Sequence, residues 1–365
     1  MRILHFYKRC WPESLGGIEK SIDTICEATS KKSVKNSVLA LSERKHFDRA
    51  LSNYHIFIRP QVFEVASTPV SFKIFLDFFK LLRKAELVHF HYPYPMANVL
   101  SFFCINKPFI VTYHSDIVKQ RLLAKLIFPL DYLFLLRAKR VIATSENYLR
   151  TSKLLQLFKE KTSVIPLGLD PSQYVFKTQI EREKTIRKQP YFLFLGHNRY
   201  YKGLDYLLDA CSKVPHIQVV ICGNSKLSPE QVSISEKLEN VCFTGEVSEL
   251  KKMELLQNCF GFVFPSNLRS EAFGLALLEA CFFAKPLICC EIGTGTTHVN
   301  IDGITGYVVP PSSSDAIANA MEKLLKSPKM AHKLGENAKK RALELLTADK
   351  QSASYIKIYN SLIQK

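Results

Sequence analysis

The chain has 365 residues, more than one hydrophobic core usually supports, so two domains are expected. Apolar residues make up 47% of it, and the absence of any run of about 20 uncharged apolar residues argues against a membrane-spanning helix. The formal net charge is +17, and residues 1–170 hold 26 basic against 14 acidic side chains. This surplus of positive charge favours an anionic partner. The candidates are a nucleic acid, a membrane surface and a phosphorylated substrate.

Motif content narrows these classes. No zinc-finger, RNP or helix-turn-helix signature supports nucleic acid. The N-terminal residues Met1–Lys8 have the pattern of a buried strand rather than a signal peptide. The ten cysteines form no Cys-x-x-Cys pair and lie mostly within apolar runs, which favours reduced core cysteines in a cytoplasmic protein over disulfides or zinc.

The first half alternates short β-branched runs with helical patterns, which predicts a parallel sheet with crossover helices. The predicted strands are Arg2–Phe6, Lys35–Leu41, His55–Ile58, Leu87–His91, Phe109–His114, Arg140–Thr144 and Thr162–Pro166. The predicted helices are Gly17–Thr29, Ser71–Lys84, Met96–Phe103, Lys119–Leu136 and Glu146–Leu157.

The same alternation restarts after a charged stretch from Lys177 to Gln189. The predicted strands are Tyr191–Leu195, Gln218–Cys222, Val241–Thr244, Gly261–Pro265 and Pro286–Cys290. The predicted helices are Leu204–Val214, Ser248–Asn258 and Phe273–Phe283, followed by helices to the end of the chain. Two doubly wound α/β domains follow from this pattern.

Paired glycines, Gly16 and Gly17, lie between the first predicted strand and its helix. Such glycines let backbone amides approach a phosphate or a sugar, although a flexible turn has the same composition. The dinucleotide fingerprint Gly-x-Gly-x-x-Gly is absent, which argues against a dehydrogenase.

A second candidate, His114, ends an apolar strand in the sequence Thr112-Tyr113-His114-Ser115-Asp116. Ligands bind outside the carboxyl ends of strands in open α/β sheets, so His114 is a candidate neighbour of the reacting centre. His91 is a weaker candidate of the same kind, and His89 is expected to face the core.

The loop after the first strand of the second half contains Arg199 and Lys202. Both cations can neutralise a diphosphate leaving group, whereas the alternative is a solvated basic loop. The segment Glu291–Thr297 follows a later strand, and its glycines and hydroxyls either line a pocket or form a plain loop.

Two glutamates eight positions apart, Glu271 and Glu279, are the most informative pair in the chain. Glu271 is predicted to follow a strand and Glu279 to lie in the next helix. The backbone amides of Phe273, Gly274 and Leu275 are predicted at the N-terminus of that helix, where phosphate binds well. A nucleotide sugar would supply a diphosphate for the amides and hydroxyls for the carboxylates.

Helix Lys119–Leu136 combines an aliphatic face with nearby basic residues, as does the helix that carries Lys73, Lys80, Arg83 and Lys84. Docking on anionic lipid headgroups is one interpretation of this pattern, and ordinary packing on the core is the other.

These motifs resemble retaining glycosyltransferase family 4, which has the GT-B fold of two Rossmann-like doubly wound parallel-sheet domains facing a central cleft. The marks are Glu271-x7-Glu279, Arg199 and Lys202-Gly203, Gly16-Gly17, and the group at His114. The resemblance implies an acceptor-binding domain over residues 1–168, a linker over 169–188, a nucleotide-sugar-binding domain over 189–348, and a final helix over 349–365 that crosses back to the first domain.

The resemblance also implies a role for each residue. Glu271 would contact donor-sugar hydroxyls and Glu279 the nucleotide ribose, while Arg199 and Lys202 would stabilise the departing diphosphate. Gly17 and His114 would border the sugar. Many members have arginine directly after the strand's glycine, where this chain has His197, so either His197 or Arg199 takes that place.

Segments such as Leu4–Lys8, Val111–Lys119 and Gly293–Asn300 are similar to bacterial mannosyltransferases that build O-antigen or related polysaccharides. This implies transfer from GDP-mannose to a lipid-linked, polyprenyl-diphosphate oligosaccharide, by a cytoplasmic enzyme peripheral on the inner membrane. Asp-x-Asp is absent, so no metal cofactor is expected. The alternatives are transfer from a UDP-sugar, a nucleotide-sugar epimerase, and a basic anion- or nucleic-acid-binding protein.

Overall fold

A computed structural model describes residues 1–14, 16–43, 46–65, 68–118, 121–174, 189–223 and 226–363, without the side chains of residues 121–124. The described chain forms two compact units, of which the first contains Met1–Gly168 with Ala348–Lys365 and the second contains Leu169–Thr347. Most of the segment 169–188, for which a linker is predicted, lies outside the described residues, as do Lys119 and Gln120.

The first unit is built on a sheet of eight strands in the order β10-β9-β8-β7-β1-β2-β4-β3, with a separate hairpin of β5 and β6. Within the eight-stranded sheet all pairs are parallel except β3 with β4, and the β5–β6 hairpin is also antiparallel. The strands are β1 (Arg2–Phe6), β2 (Lys35–Ser42), β3 (Phe47–Ala50), β4 (His55–Pro60), β5 (Phe63–Val65), β6 (Thr68–Val70), β7 (Leu87–Tyr92), β8 (Phe109–Tyr113), β9 (Arg140–Ala143) and β10 (Thr162–Val164).

Helices cover this sheet. They are α1 (Gly17–Ser30), α2 (Lys73–Lys84), α3 (Pro95–Ser101), α4 (Arg121–Arg137), α5 (Glu146–Thr151), α6 (Lys153–Gln156) and α14 (Ala348–Ile363). Tyr355 and Tyr359 of α14 are fully buried in one core cluster with Ile3, Ile25 and Ile110. The C-terminal helix therefore completes the core of the first unit.

The second unit has a sheet of six strands in the order β13-β12-β11-β14-β15-β16, all parallel. These strands are β11 (Tyr191–Leu195), β12 (Gln218–Cys222), β13 (Val241–Gly245), β14 (Gly261–Phe264), β15 (Leu287–Cys290) and β16 (Gly306–Val309). Its helices are α7 (Leu204–Lys213), α8 (Pro229–Ser235), α9 (Glu249–Asn258), α10 (Leu275–Phe282), α11 (Thr296–Val299), α12 (Ser314–Lys326) and α13 (Pro328–Leu345). The order matches that of a dinucleotide-binding Rossmann sheet, in which ligands bind where the strand order reverses.

Several predicted elements need correction. The single helix predicted over Glu146–Leu157 is wrong, because Ser152 has an extended backbone between α5 and α6 and caps the second of them. The helix predicted from Phe273 begins at Leu275, because Gly274 has a left-handed conformation with φ 86°. The sequence analysis also missed the short elements β3, β5, β6, β16, α8 and α11.

Candidate active site

The loops after β11 and β14 meet at the point where the strand order of the second sheet reverses. These two strands are neighbours and run parallel, so both loops emerge at the same edge. The first loop carries Arg199 and Lys202, and the second carries Glu271. This edge is where an open α/β sheet binds its ligand.

Lys202 and Glu271 form an ion pair across the two loops. The Lys202 Nζ atom donates to Glu271 Oε2 at 2.6 Å, and the side chains are only 13% and 12% exposed. Ser266 Oγ donates to the same oxygen at 3.3 Å. The Lys202 ammonium lies 4.6 Å from the centre of the Phe264 ring, a cation–π contact that further orients it.

A glycine lets the two loops approach so closely. Gly203 has φ 69°, and a Cβ atom there would lie 2.1 Å from the carbonyl oxygen of Pro265. Asn267 N donates to Tyr201 O at 3.0 Å, and Tyr200 OH lies 2.7 Å from Ser270 Oγ. Gly203 is therefore required both by its backbone conformation and by the space beside β14.

The start of α10 lies next to Glu271. Gly274 is the N-cap, and its carbonyl accepts from Leu277 N at 2.9 Å and Leu278 N at 3.3 Å. The amides of Leu275 and Ala276 come before these bonds, so they are the donors left at the start of the helix. Gly295 N donates to Ala272 O at 2.8 Å, which joins the loop after β15 to this turn. The α10 N-terminus thus presents donors and a positive dipole end beside the Lys202–Glu271 pair.

The loop Glu291–Thr297 is held by several hydrogen bonds, and whether it also lines a pocket stays a prediction. Thr294 and Thr296 are buried, and their hydroxyls lie 3.4 Å apart. Arg269 Nη1 donates to Gly293 O at 2.9 Å, and Glu291 Oε1 accepts from Gly293 N at 2.8 Å. The bonds from Arg269 to Gly293 O and from Gly295 N to Ala272 O hold this loop against the turn before α10.

Glu279 lies in the second turn of α10 and has two donors on Oε1. Lys252 Nζ of α9 donates at 2.9 Å and Tyr174 OH at 3.1 Å. Burial opposes the charge of Lys252, but the negative charges of Glu279 and Glu249 outweigh it and raise the pKa of Lys252. Burial and Glu279 raise the pKa of Tyr174, so its hydroxyl keeps its proton. Lys252 and Tyr174 both donate to Oε1, so among the hydrogen bonds of the described residues none uses Glu279 Oε2.

Arg199 and His197 are both exposed in the loop after β11. The Arg199 carbonyl accepts from Lys202 N at 2.8 Å, which holds the turn that positions Lys202. The choice between His197 and Arg199 as the phosphate-binding residue stays a prediction.

In the first unit, Gly16 and Gly17 follow β1, which neighbours β7 where the strand order of that sheet reverses. Gly16 is the N-cap of α1, and a Cβ atom there would lie 2.0 Å from Glu19 Oε2, so only glycine lets the Glu19 carboxylate fold back over the turn. Gly17 is exposed as the first residue of α1.

His114 immediately follows β8 and is 2% exposed. Its Nε2 lies 3.1 Å from His91 Nδ1, and burial lowers the pKa of His114 to about 3. Asp116 instead accepts from Tyr113 OH and Ser152 Oγ, each at 2.7 Å. Tyr113 and Ser152 therefore orient the carboxylate of Asp116.

Two family models match the chain. The model for glycosyltransferase family 4 matches residues 15–173, and that for glycosyl transferases group 1 matches residues 176–341. The D-rhamnosyltransferase WbpZ of Pseudomonas aeruginosa is 42% identical over 95% of this chain and 93% of its own length. The O-antigen chain mannosyltransferase C of Escherichia coli is 38% identical over 100% of this chain and 99% of its own.

The chain belongs to glycosyltransferase family 4.

Solved structures of low sequence identity share the fold. The sucrose-phosphate synthase of Thermosynechococcus elongatus matches the transferase with a TM-score of 0.79 at 18% identity, over 100% of this chain and 99% of that one. Anabaena Alr3699/HepE, solved in complex with UDP and glucose, matches with a TM-score of 0.77 at 18% identity, over 99% and 100%. The predicted GT-B fold is confirmed.

Some side chains of this candidate site were not predicted from the sequence. Lys252 and Tyr174 hold Glu279, and Ser266 supports Glu271. Ser266 could have been predicted, because it directly follows Pro265, the last residue of the predicted strand. No sequence pattern pointed to Lys252, because it lies on α9 and meets Glu279 of α10 only in the folded structure.

Within the described residues of the transferase, no helix is both long and apolar enough to cross a bilayer.

Proposed function

We propose that the transferase moves a mannosyl unit from GDP-mannose to a lipid-linked oligosaccharide in the synthesis of O-antigen or a related cell-surface polysaccharide. The observation that carries the proposal is the Lys202–Glu271 pair at the strand-order reversal of a Rossmann sheet. The name of the E. coli relative, which spans this whole chain, supports mannose and O-antigen.

Each charged group has a place in binding the donor. Glu271 accepts hydroxyls of the sugar, and Lys202 and Arg199 with the amides at the start of α10 neutralise the diphosphate. Glu279 accepts the ribose hydroxyls through the oxygen that Lys252 and Tyr174 leave available. The donor thus lies along the edge of the second sheet, with its sugar near Lys202 and its ribose beside α10.

The reaction breaks the bond between the anomeric carbon and the diphosphate oxygen and forms a bond from the acceptor oxygen to the same face of that carbon. The acceptor proton passes to the departing diphosphate. Charge developing on the diphosphate is stabilised by Lys202, Arg199 and the helix amides, so the positive sugar ring separates from it without a protein nucleophile. This course retains the anomeric configuration and requires no metal ion.

A second donor is favoured by a specific observation, which is the 42% identity to a D-rhamnosyltransferase. D-rhamnose is mannose that lacks the 6-hydroxyl, so both sugars present the same hydroxyls at C2, C3 and C4. An enzyme that distinguishes a mannose donor from a D-rhamnose donor must therefore do so through the side chains that contact C6 of the sugar.

Membrane contact is part of the proposal. Five apolar side chains on and around α2 and the β5–β6 hairpin are exposed: Val62 (65%), Phe63 (44%), Val65 (59%), Phe72 (68%) and Leu76 (75%). Lys73, Lys80, Arg83 and Lys84 of α2 are exposed beside them. We call this set of nine residues the α2 surface.

Aromatic contacts extend the α2 surface towards α3 and α4. The Phe75 and Phe79 rings of α2 lie 6.1 Å and 4.9 Å from the ring of Phe103, which is exposed at the end of α3. Leu126 and Leu136 of α4 are 78% and 51% exposed, whereas Phe134 is buried. Apolar side chains ringed by lysine and arginine suit an anionic lipid surface, which is where a lipid-linked acceptor resides.

The test is a donor screen on the purified full chain. GDP-mannose, GDP-D-rhamnose, UDP-glucose and UDP-galactose are compared for thermal stabilisation and then for transfer to a polyprenyl-diphosphate oligosaccharide, with and without EDTA. The proposal predicts acceptor-dependent GDP release with GDP-mannose that EDTA does not change. Transfer from a UDP-sugar alone would remove the mannose assignment, and epimerised donor without an acceptor would replace transfer by epimerisation.

A further inference from the structure

Four histidines share one face of the first sheet. His5 of β1 pairs in register with His89 of β7, and His91 follows two positions later. His91 is in register with Thr112 of β8, two positions before His114. Alternate residues of a strand point to the same face, so these four imidazoles share one face of the sheet, where His89 contacts Tyr355 and Tyr359 of α14.

Three of these histidines form a continuous chain of hydrogen bonds that ends on Asn36. His114 Nε2 lies 3.1 Å from His91 Nδ1, and His91 Nε2 lies 3.1 Å from His5 Nδ1. His5 Nε2 then lies 3.1 Å from Asn36 Oδ1. The chain spans three neighbouring strands and the end of a fourth.

All members of this chain are neutral at physiological pH. Burial lowers the pKa of His5 to about 4 and that of His114 to about 3, and it lowers the pKa of His91 well below its ordinary value. A neutral imidazole has one N–H donor and one lone pair. Every bond in the chain must therefore point in the same direction, either towards Asn36 or away from it.

Asn36 decides the direction. Its Nδ2 donates to Cys26 O at 3.1 Å and to Thr29 Oγ1 at 2.8 Å, and Thr29 Oγ1 already donates its own proton to Ile25 O. The amide cannot be turned over, because its oxygen would then face a carbonyl oxygen. Asn36 Oδ1 is thus an acceptor, and His5 Nε2 must carry the proton that it receives.

The direction propagates along the chain. With its proton on Nε2, His5 accepts at Nδ1 from His91 Nε2–H, and His91 Nδ1 then accepts from His114 Nε2–H. We infer that Asn36, His5 and His91 are positioning residues that hold His114 as the Nε2–H tautomer, so that its Nδ1 lone pair stays an acceptor for a sugar hydroxyl at the carboxyl edge of the first sheet. This inference rests on the proposed sugar transfer.

His114 is in the right place for this role. It follows β8 at the carboxyl edge of the sheet, and among the residues that the structure describes none donates to its Nδ1. If Nδ1 is an acceptor, the sugar hydroxyl donates its proton to it. The oxygen of that hydroxyl can then still accept hydrogen bonds from other groups. A reversed chain would present an N–H there instead.

A metal ion is the competing explanation of the cluster, because ring nitrogens of His5, His89 and His91 lie within 4.8 Å of one another. Hydrogen bonds already use both nitrogens of each of these residues, since His89 contacts Tyr359 OH at 2.8 Å and Thr112 Oγ1 at 2.7 Å. Ligation would need three lone pairs aimed at one point and would break the chain. The hydrogen-bonded arrangement is the better match.

The first experiment reads the tautomers directly. The full chain is labelled with ¹⁵N-histidine, and long-range ¹H–¹⁵N correlation spectra at neutral pH distinguish protonated from unprotonated ring nitrogens. The inference predicts neutral Nε2–H forms of His5, His91 and His114. An Nδ1–H form of His114, an imidazolium, or stoichiometric zinc bound by these rings would overturn it.

The second experiment removes the anchor. Asn36→Leu takes away the acceptor for His5, so the Nδ1–H form of His114 should become populated, although Asn36 and His114 share no contact. Thr29→Val is the matched control, because it removes another partner of Asn36 and leaves the bond to His5. An unchanged His114 spectrum in Asn36→Leu, or an equal change in Thr29→Val, would contradict the inference.

Activity then distinguishes this inference from the proposed function. In Asn36→Leu, kcat for transfer should fall about two- to tenfold, as for a weakened hydrogen bond, while Thr29→Val keeps the wild-type rate. If no nucleotide sugar supports transfer but the tautomers are as predicted, the proposed function fails and the chain of bonds stands. If transfer occurs with His114 in the Nδ1–H form, the inference alone fails.

Discussion

Lys202 Nζ lies 2.6 Å from Glu271 Oε2 and joins two loops that are 69 residues apart in the chain. Both side chains are largely buried, so each charge depends on the other for compensation. In the proposed function the same two groups receive the diphosphate and the sugar hydroxyls, which makes them both a structural and a chemical pair.

Single and double replacements separate these roles. Lys202→Met or Glu271→Gln should each lower the free energy of unfolding by about 3 kcal/mol, because a buried charge loses its partner. Each should also lower kcat by about 10²–10³. The double variant Lys202→Met with Glu271→Gln should recover most of the stability and none of the activity. Denaturant unfolding and transfer assays on the same preparations measure both, and an active double variant would refute the chemical role.

Gly203 tests how closely the loops must approach. Gly203→Ala forces a Cβ atom to 2.1 Å from Pro265 O, whereas Gly245→Ala, at a similar φ of 66°, meets nothing within 4 Å. The control should cost about 1–2 kcal/mol for its backbone conformation alone. Gly203→Ala should lower the free energy of unfolding by at least about 1–3 kcal/mol more than the control does, because the loops after β11 and β14 must separate. It should also reduce transfer. Equal melting temperatures of the two variants would argue against a required close contact.

Glu279 is expected to govern nucleotide affinity. Glu279→Gln should weaken binding of GDP about tenfold to a hundredfold, since a charged acceptor for the ribose is lost. Glu254→Gln is the matched control, because Glu254 is also largely buried and pairs with Lys251 at 3.1 Å on α9. Titration calorimetry with GDP measures both. Equal affinities of the two variants would remove Glu279 from the site.

The buried histidines make stability depend on pH. The pKa of His5 falls from an ordinary 6.5 to about 4 in the folded state, so below pH 6.5 the unfolded chain binds a proton that the folded chain does not. The His5 contribution to stability is therefore complete above pH 6.5 and is lost as the pH falls towards about 4. A glutamine at this position cannot titrate. Between pH 6.5 and about 4, the unfolding free energy of His5→Gln should therefore fall less steeply than that of the wild-type protein, by about 1.4 kcal/mol per pH unit. Parallel pH curves for the two proteins would show that His5 is not the proton-linked group.

The α2 surface predicts binding to anionic vesicles. Phe72→Glu with Leu76→Glu should weaken sedimentation with phosphatidylglycerol-containing vesicles by roughly tenfold or more, with little change in melting temperature, because both side chains are exposed. Higher salt should weaken wild-type binding. Leu250→Glu, on a residue that is 67% exposed in the second unit, is the control. Equal binding of all three proteins would exclude the α2 surface as the docking site.

Sequence reasoning was strongest where one element determines its own pattern. The α/β alternation gave most strands to within a residue or two, and Glu271 and Glu279 lie on either side of the start of α10 as their spacing predicts. It was weakest where the backbone conformation of one residue sets the boundary of an element, as at Gly274 and Ser152. It also missed short edge strands such as β3, whose existence depends on a partner strand.

The sequence by itself determined the fold class and the candidate polar residues at strand ends, because hydrophobic periodicity and turn chemistry act between neighbours along the chain. Only the tertiary structure decided that Lys202 pairs with Glu271, that Lys252 and Tyr174 hold Glu279, and that His5, His91 and His114 form one chain of bonds. Strand order and register bring these residues together. They are set by how all the strands pack into one sheet, which no local pattern specifies.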